Sequence, residues 1–516
     1  MSPKLMAITA NFMDDSDELV RRVAVSALCS QSPWPPEILQ AVMGRLDDSK
    51  GFVRAEAVQA LGSQSPWPPE VLQAVMGRLD DSDWHVRRAT VGALGSQSPW
   101  PPEILQAVMG RLDNSKGFVR AEAVQALGSQ SPWPPEVLQA VIDRLDDSDG
   151  HVRRATVQAL GSQSPWPPEI LQAVMGRLGD SKEDVRYTTV QALGSQSPWP
   201  PEILQAVMGR LDDSDGHVRR ATVKALGSQS PWPPETLQAV MGRLDDSEGH
   251  VRFVAVQALG SQSPWPPEIL QAVMGRLDDS KGFVRAEAVQ ALGSQSPWPP
   301  EILQAVMGRL DDSDGHVRCV AVQALGSQSP WPPEILQAVM GRLDDSKGFV
   351  RRATVEALGS QSAWPPEILQ AVMGRLDDSE GHVRRATVQA LGSQSPWPPE
   401  ILQAVMGRLA DSDEDMASRL EALLWKHDDI PSHFLQLHPD AAAATLCRIW
   451  ARKSIEETFV CYVRDGNIYF EMPDGRKTFV SSRKNIQRFK DRLRAATLHS
   501  PILRLVYKDG TPFNGL

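Results

Sequence analysis

The sequence predicts an all-α solenoid, an α–α superhelix, that ends in a small α+β module. Three observations predict it. A 33-residue unit recurs with little change, so that its tryptophan falls at Trp34, Trp67, Trp100, Trp133, Trp166 and on to Trp397. Each unit carries two stretches of helical periodicity and no alternating strand pattern. After Trp425 the repeat stops and short alternating stretches begin. A fixed period of this length marks arrays in which each unit packs only on its neighbours. The expected organisation is a solenoid of about thirteen copies over residues 3–425, a polar linker at 426–437 and a basic module at 438–516.

One copy, residues 32–64, reads SPWPPEILQAVMGRLDDSKGFVRAEAVQALGSQ. Its first helix should begin at Pro35-Pro36, because proline suits a first turn whose N–H groups have no partner, and should run to about Leu46. Ile38, Leu39, Val42, Met43 and Leu46 form one apolar stripe, with Glu37, Gln40 and Arg45 off it. The second helix should follow with Ser49 as N-cap, Asp47 and Asp48 at the positive end of its dipole, and Gly62 as a left-handed C-cap. Pro3, Leu5 and Met6 stand 33 residues before Pro36, Ile38 and Leu39. The chain therefore opens inside a divergent first copy, and the expectation is that it is the tail of a longer protein.

The run Leu46-Asp47-x-Ser49-x-x-x-Val53-Arg54, followed by Ala57 and Ala60-Leu61-Gly62, resembles the HEAT repeat motif in its short, phycobilisome-lyase-type form. The resemblance covers residues 3 to about 425. The other common 33-residue unit, ankyrin, would need a T-P-L-H signature, and none is present. The resemblance implies HEAT-like helix pairs, second helices lining the concave side, and a hydrogen-bonded Asp–Arg ladder between copies. The matching columns begin Asp14, Asp47, Asp80 and Arg21, Arg54, Arg87, with the Asp column interrupted at Gly179 and Ala410 and the Arg replaced at Ala417.

Composition narrows the function. No run of about 18 apolar residues exists to span a membrane and the N-terminus has no signal-peptide core. Cys29, Cys319, Cys447 and Cys461 are far apart and form no C-x-x-C pair, which favours a reducing, cytoplasmic setting over structural zinc or disulfides. The formal charge is −11; residues 446–516 carry a net +7, leaving −18 on the rest. An acidic array is a poor nucleic-acid binder along its length.

Counting the second-helix serine (Ser49, Ser82 and so on) as place zero, the copies differ mainly at places one, three, six, seven and ten. Place three holds Phe52, His85, Phe118, His151, Asp184, His217, His250, Phe283, His316, Phe349 and His382. Place six holds Ala55, Arg88, Ala121, Arg154, Tyr187, Arg220, Phe253, Ala286, Cys319, Arg352 and Arg385. At about 100° per residue, places three, six, seven and ten project onto one side, opposite Val53, Arg54, Ala57, Val58, Ala60 and Leu61. The first helix keeps Glu37, Gln40 and Arg45 in nearly every copy, with departures such as Asp143 and Thr236. Free drift would touch both exposed faces. The variable side is therefore the candidate partner-binding face, carried by Phe52, His85, Arg88, Phe118, His151, Arg154, Tyr187, His217, Arg220, His250, Phe253, Arg352 and Arg385. Arginine and aromatic side chains suit it, since they concentrate binding energy at protein interfaces.

The other columns read as structural. Tryptophan beside prolines at a helix start packs between copies, and the Met43, Met76, Met109 column belongs to the apolar core. A HEAT-type enzyme, deoxyhypusine hydroxylase, holds iron through His-Glu pairs, but no histidine here is followed by glutamate. Histidines one copy apart stand about 10 Å from each other, too far to share a metal at ~2 Å bonds. No phosphate-binding loop, G-x-S-x-G or H-E-x-x-H occurs, so no catalytic residue, cofactor or metal site is expected. The leading expectation is a non-enzymatic scaffold that binds a protein partner along its concave face. Near-identical copies varying on one face also resemble the ligand-sensing arrays of fungal NOD-like receptors. The rival is a HEAT-type lyase or hydroxylase acting on a protein substrate, which predicts bound iron or pigment.

In the C-terminal module, Pro439 should start a helix to about Lys453. Residues 458–464 and 467–472 flank Asp465-Gly466 as a hairpin, with further strands at 477–480 and 502–507 and a basic helix capped by Ser482 between them. That basic helix reads as a solvated face.

Overall fold

The computed structural model describes residues 3–394, apart from one to three positions in the links between copies, and the backbone of four short strands at 459–464, 467–471, 477–482 and 505–506. The last copy with Ala410 and Ala417, the linker at 426–437 and both expected helices of the terminal module lie outside the described residues. The chain divides into two compact units, residues 1–272 and 273–516.

In the first unit, every copy is a helix pair joined by a tight 3-10 or turn segment. First helices such as Pro36–Gly44 and Pro102–Met109 start at the second proline of the Pro-Pro pair. Second helices follow at Gly51–Gly62, Trp84–Gly95, Gly117–Gly128, Gly150–Gly161, Glu183–Gly194, Gly216–Gly227 and Gly249–Gly260. Consecutive second helices pack along their lengths, whereas consecutive first helices scarcely meet. Two layers with unequal spacing must bend toward the closer one, so the second helices line the inner side of this unit. The same spacing explains burial. Val53, Ala57, Val58, Ala60 and Leu61 are all fully buried, being covered from both sides. On the first helix Ile38, Val42 and Leu46 are buried, but Leu39 and Met43 are only half-buried. The methionine column, expected in the core, thus sits on its rim, because the flanks of splayed helices are left partly open.

The N-cap is not the serine. It is the next residue: Asp83, Asp149 and Asp215 accept the N–H of His85, His151 and His217 at 2.8–2.9 Å. Lysine stands there in other copies, as at Lys50 and Lys116, with no side-chain cap.

The expected left-handed glycine is also corrected. No described glycine has a positive φ, and Gly62 and Gly128 are the last residues of their helices. They are glycine because the next copy comes too close for a side chain. A Cβ on Gly128 would lie 2.9 Å from the Cβ and 3.2 Å from the Cα of Ala159. Gly128→Ala should therefore destabilise the protein by about 1 kcal/mol, the overpacking cost of ~1–3 kcal/mol exceeding the gain in helix propensity. Gly242, at φ −59° with nothing within 4 Å, should gain about 0.4–1 kcal/mol on mutation to alanine. Paired urea titrations measure both signs.

The tryptophan column is a set of staples. Trp67, Trp133 and Trp199 donate their indole N–H to the carbonyls of Leu61, Leu127 and Leu193, six residues back, at 2.7–2.8 Å. Each indole adds a second donor, beside the backbone N–H of Gln64, Gln130 or Gln196, to a carbonyl at the end of a second helix and fixes the link into the next copy.

In the second unit, helix pairs of the same design include second helices Gly282–Gly293, Gly315–Gly326, Gly348–Gly359 and Gly381–Ser393. The terminal strands β1 (Phe459–Arg464), β2 (Asn467–Glu471), β3 (Lys477–Ser482) and β4 (Leu505–Val506) form one sheet in the order β3-β2-β1-β4. β1 and β2 are antiparallel, as the Asp465-Gly466 turn predicts, and β4 runs parallel to β1. A parallel pair needs a crossover connection.

Candidate interaction face on the second helices

The inner face is aimed by an ion-pair ladder in the loops before each second helix. Arg186 donates from Nε and Nη2 to the two oxygens of Asp213 in the next copy, each at 2.7 Å, and from Nη1 to the Asp180 carbonyl at 2.9 Å. Arg54–Asp81, Arg120–Asp147, Arg153–Asp180 and Arg219–Asp246 repeat the arrangement in the first unit, as do Arg285–Asp312, Arg318–Asp345 and Arg351–Asp378 in the second. The carboxylates are nearly sealed from solvent, Asp213 being 3% exposed in its side chain. Burial alone would raise the Asp213 pKa, but the Arg186 guanidinium and the backbone N–H of Asp215 outweigh it and hold it below the usual carboxylate range. The same carboxylate receives the Asp215 N–H, which turns the chain into the cap residue and so sets places one to three.

The ladder uses the second aspartate of each Asp-Asp pair, not the first. The first, such as Asp47, meets Arg78 of the following first helix and is 78% exposed. Gly179 therefore leaves the ladder intact, with Arg153 and Asp180 in contact at 2.7 Å. What Gly179 removes is the exposed partner of Arg210; its 3.9 Å contact to Asp213 is one that Arg243, which keeps its exposed Asp212, also makes to Asp246. Among the described residues the interruption is Asn114, where the other copies keep the second aspartate. Arg87 still bonds to the Asp81 and Ser82 carbonyls, but its buried Nε has no partner.

On this frame the place-three side chains reach solvent: Phe52, His85, Phe118, His151, His217 and His250 are all exposed. Trp84, Phe118 and His151 stack across three successive copies, with centroids 5.5 and 5.3 Å apart. Sequence reasoning missed Trp84. The signal was a large aromatic at place two, where most copies have glycine because the next copy's place-one side chain lies over it, as Asp149 does over Gly117.

At place six, Arg88 and Arg220 are exposed and Arg154, Tyr187 and Phe253 half-buried; in the second unit Arg352 is exposed and Arg385 half-buried. Arg88 bridges to Glu122 of the next copy at 2.9 Å, and Arg352 to Glu356 of its own helix at 2.7 Å. Places three, six, seven and ten of neighbouring copies meet in shallow grooves. One, of about 580 Å³, is lined by Ala55, Gln59, His85, Arg88, Ala89 and Glu122. His151 and Arg154 share another with Asp149, Lys182 and Asp184, and Tyr187 and Arg220 a third.

Two expectations need correction. Variation is not confined to one face: place eight alternates between Ala57, Thr90, Ala123 and Thr156, all fully buried. Thr90 is accommodated by donating its hydroxyl to the Val86 carbonyl one turn back. Place seven is also partly sealed, as at Ala155 and Val254. Thr236, read as exposed, occupies the buried isoleucine column and donates to the Met208 sulfur at 3.3 Å.

The match to known proteins follows the same repeats. The family model for HEAT repeats matches residues 3–95, 76–161, 167–260, 204–293, 245–326, 270–359 and 336–424. The chain belongs to the HEAT-repeat family. No curated protein matches it. Among solved structures, this HEAT chain is similar to one in which Kap95p binding switches the loops of RanGDP (TM-score 0.57, 15% identity, 87% of this chain and 69% of that one). It is also similar to yeast importin-beta, Kap95p (0.54, 15%, 87% and 67%), and to a Kap95:Nup1 complex (0.50, 14%, 87% and 66%). At such identities the shared feature is the HEAT solenoid fold. Among the described residues no group of three or more His, Cys, Asp or Glu is placed to hold a metal ion, and no helix is long and apolar enough to cross a membrane.

Proposed function

We propose that this HEAT protein is a non-enzymatic cytoplasmic scaffold that holds a protein partner along the exposed face of its second helices. Our division of the chain assigns that role to residues 3–425, with 426–437 as linker and 438–516 as a separate basic module. One observation carries the reading. Copies that are nearly identical in most packing positions differ at places three, six and ten, and the packing sets those side chains next to one another in solvent-facing grooves. Solenoids of the same fold have been solved with Ran and with Nup1, which supports a protein as the ligand. A finer form of the proposal makes the array the ligand-sensing part of a fungal NOD-like receptor, because near-identical copies with one varied exposed face can be exchanged without new seams.

Glutamate at Arg88, Arg154 and Arg220 together should leave the helical circular-dichroism spectrum unchanged and weaken partner retention at least tenfold. Partner binding that survives the triple reversal unchanged rejects the face as the binding surface.

A further inference from the structure

Between second helices Glu183–Gly194 and Gly216–Gly227 the face holds a notch of about 250 Å³, lined by Tyr187, Gln191, Arg220, Lys224 and Ser228 with small residues between them. No carboxylate is among the lining residues. Arg220 and Lys224 stand four apart on one helix, both exposed, and neither has an ion pair among the described residues. Neutralisation is available elsewhere on the face: Glu122 answers Arg88 from the next copy. The position facing Arg220 in the same way, 34 residues on, is Val254. The Tyr187 hydroxyl accepts a hydrogen bond from Gln191 Nε2 at 2.8 Å, which leaves its own proton to be donated. The notch thus offers two cations and a hydroxyl donor with no internal anion, and covering such groups with an apolar side chain would be costly.

We propose that this notch seats an acidic side chain of an extended segment of the protein partner, and that an apolar or aromatic residue of the same segment lies on the Trp84–Phe118–His151 stack. The inference rests on the partner-face reading above. Charge favours a short acidic peptide over a polyanion, because the notch is a local basic site in a chain whose formal charge is −11. Spacing sets the pattern. From His151 to the copy that holds Arg220 is two copies, roughly 16–20 Å at the usual separation of packed helices. An extended chain rises about 3.3 Å per residue, so the two anchors are five or six residues apart.

The test uses the full chain and fluorescein-labelled twelve-residue Gly/Ser peptides carrying one Trp and a Glu-Glu pair. Fluorescence anisotropy should show the peptide with six-residue spacing binding at least tenfold more tightly than its Gln-Gln counterpart and than a peptide with the spacing cut to two. R220E/K224E should abolish that preference, while Gln172→Glu on a first helix should not. Equal binding of the acidic and Gln-Gln peptides, or a preference that survives R220E/K224E, overturns the inference. The broader reading is checked separately with the native partner. If it is kept by R220E/K224E but lost when places three and six are all alanine, only the inference falls; if it is kept by both variants, the partner face falls as well.

Discussion

Asp213→Ala is expected to lower the stability of the first unit by about 3 kcal/mol, near the lower end of the ~3–5 kcal/mol seen when one member of a buried ion pair is removed. The substitution strands the Arg186 guanidinium, which keeps only its bond to the Asp180 carbonyl, and also removes the acceptor for the Asp215 N–H. Because a repeat array is coupled mainly through nearest neighbours, the loss falls on one seam. Urea unfolding followed by circular dichroism should become broader or biphasic, and hydrogen exchange should speed up on either side of residues 186–213. Asn114→Asp is the reciprocal experiment. It gives the orphaned Arg87 Nε a carboxylate and should add about 1–2 kcal/mol, the usual worth of a charge-assisted hydrogen bond. If Asp213→Ala is neutral and Asn114→Asp has no effect, the ladder is a geometric ornament and the seams are held by apolar packing alone.

The second large effect is acid sensitivity. The carboxylates of Asp81, Asp147, Asp180, Asp213 and Asp246 are each subject to burial, which raises the pKa, and to arginine and backbone N–H donors, which outweigh it; the net shift is downward. A folded-state pKa below the unfolded value means that the stabilisation is fully present above the ordinary aspartate range, near pH 4, and is lost as pH falls through the folded value. Stability should therefore be flat between about pH 7 and 5 and then drop with a slope of about 1.4 kcal/mol per pH unit for each carboxylate taking up a proton. Many rungs titrate together, so the acid transition should be steep. Asp213→Ala should reduce the slope by one proton. A stability that declines evenly from pH 7 would show that the aspartate rungs do not govern the acid transition.

Much of this architecture was readable in the residues. Pro35-Pro36 marked the helix start, Ile38, Val42 and Leu46 the buried stripe, and Asp465-Gly466 the hairpin. The errors cluster where one residue type can satisfy two physical demands. Gly62 fits both a left-handed cap and a close helix approach, and only the position of Ala93 distinguishes them. Asp47 and Asp48 are chemically identical neighbours; which of them pairs with Arg21 depends on the turn between helices, and the structure selects Asp48 at 2.7 Å. The same ambiguity misplaced the ladder's weak point at Gly179 rather than at Asn114. On the variable face, place six runs from exposed Arg88 through half-buried Tyr187 to buried Ala286, whereas exposure at most of place three followed from helical geometry. The ring stack did not, because it joins positions in three different copies and begins at Trp84, a single departure from glycine.

The indole staples bear on how such a chain can change. Since each described copy after the first is clasped to its predecessor by the same bond, from Trp133 to Leu127 as from Trp199 to Leu193, a copy works as an interchangeable cassette. Excising, duplicating or shuffling whole cassettes rearranges the ring and guanidinium groups along the inner wall without inventing a new joint. On the proposed function, recombination of cassettes would write new recognition surfaces, with point mutation needed only for fresh letters.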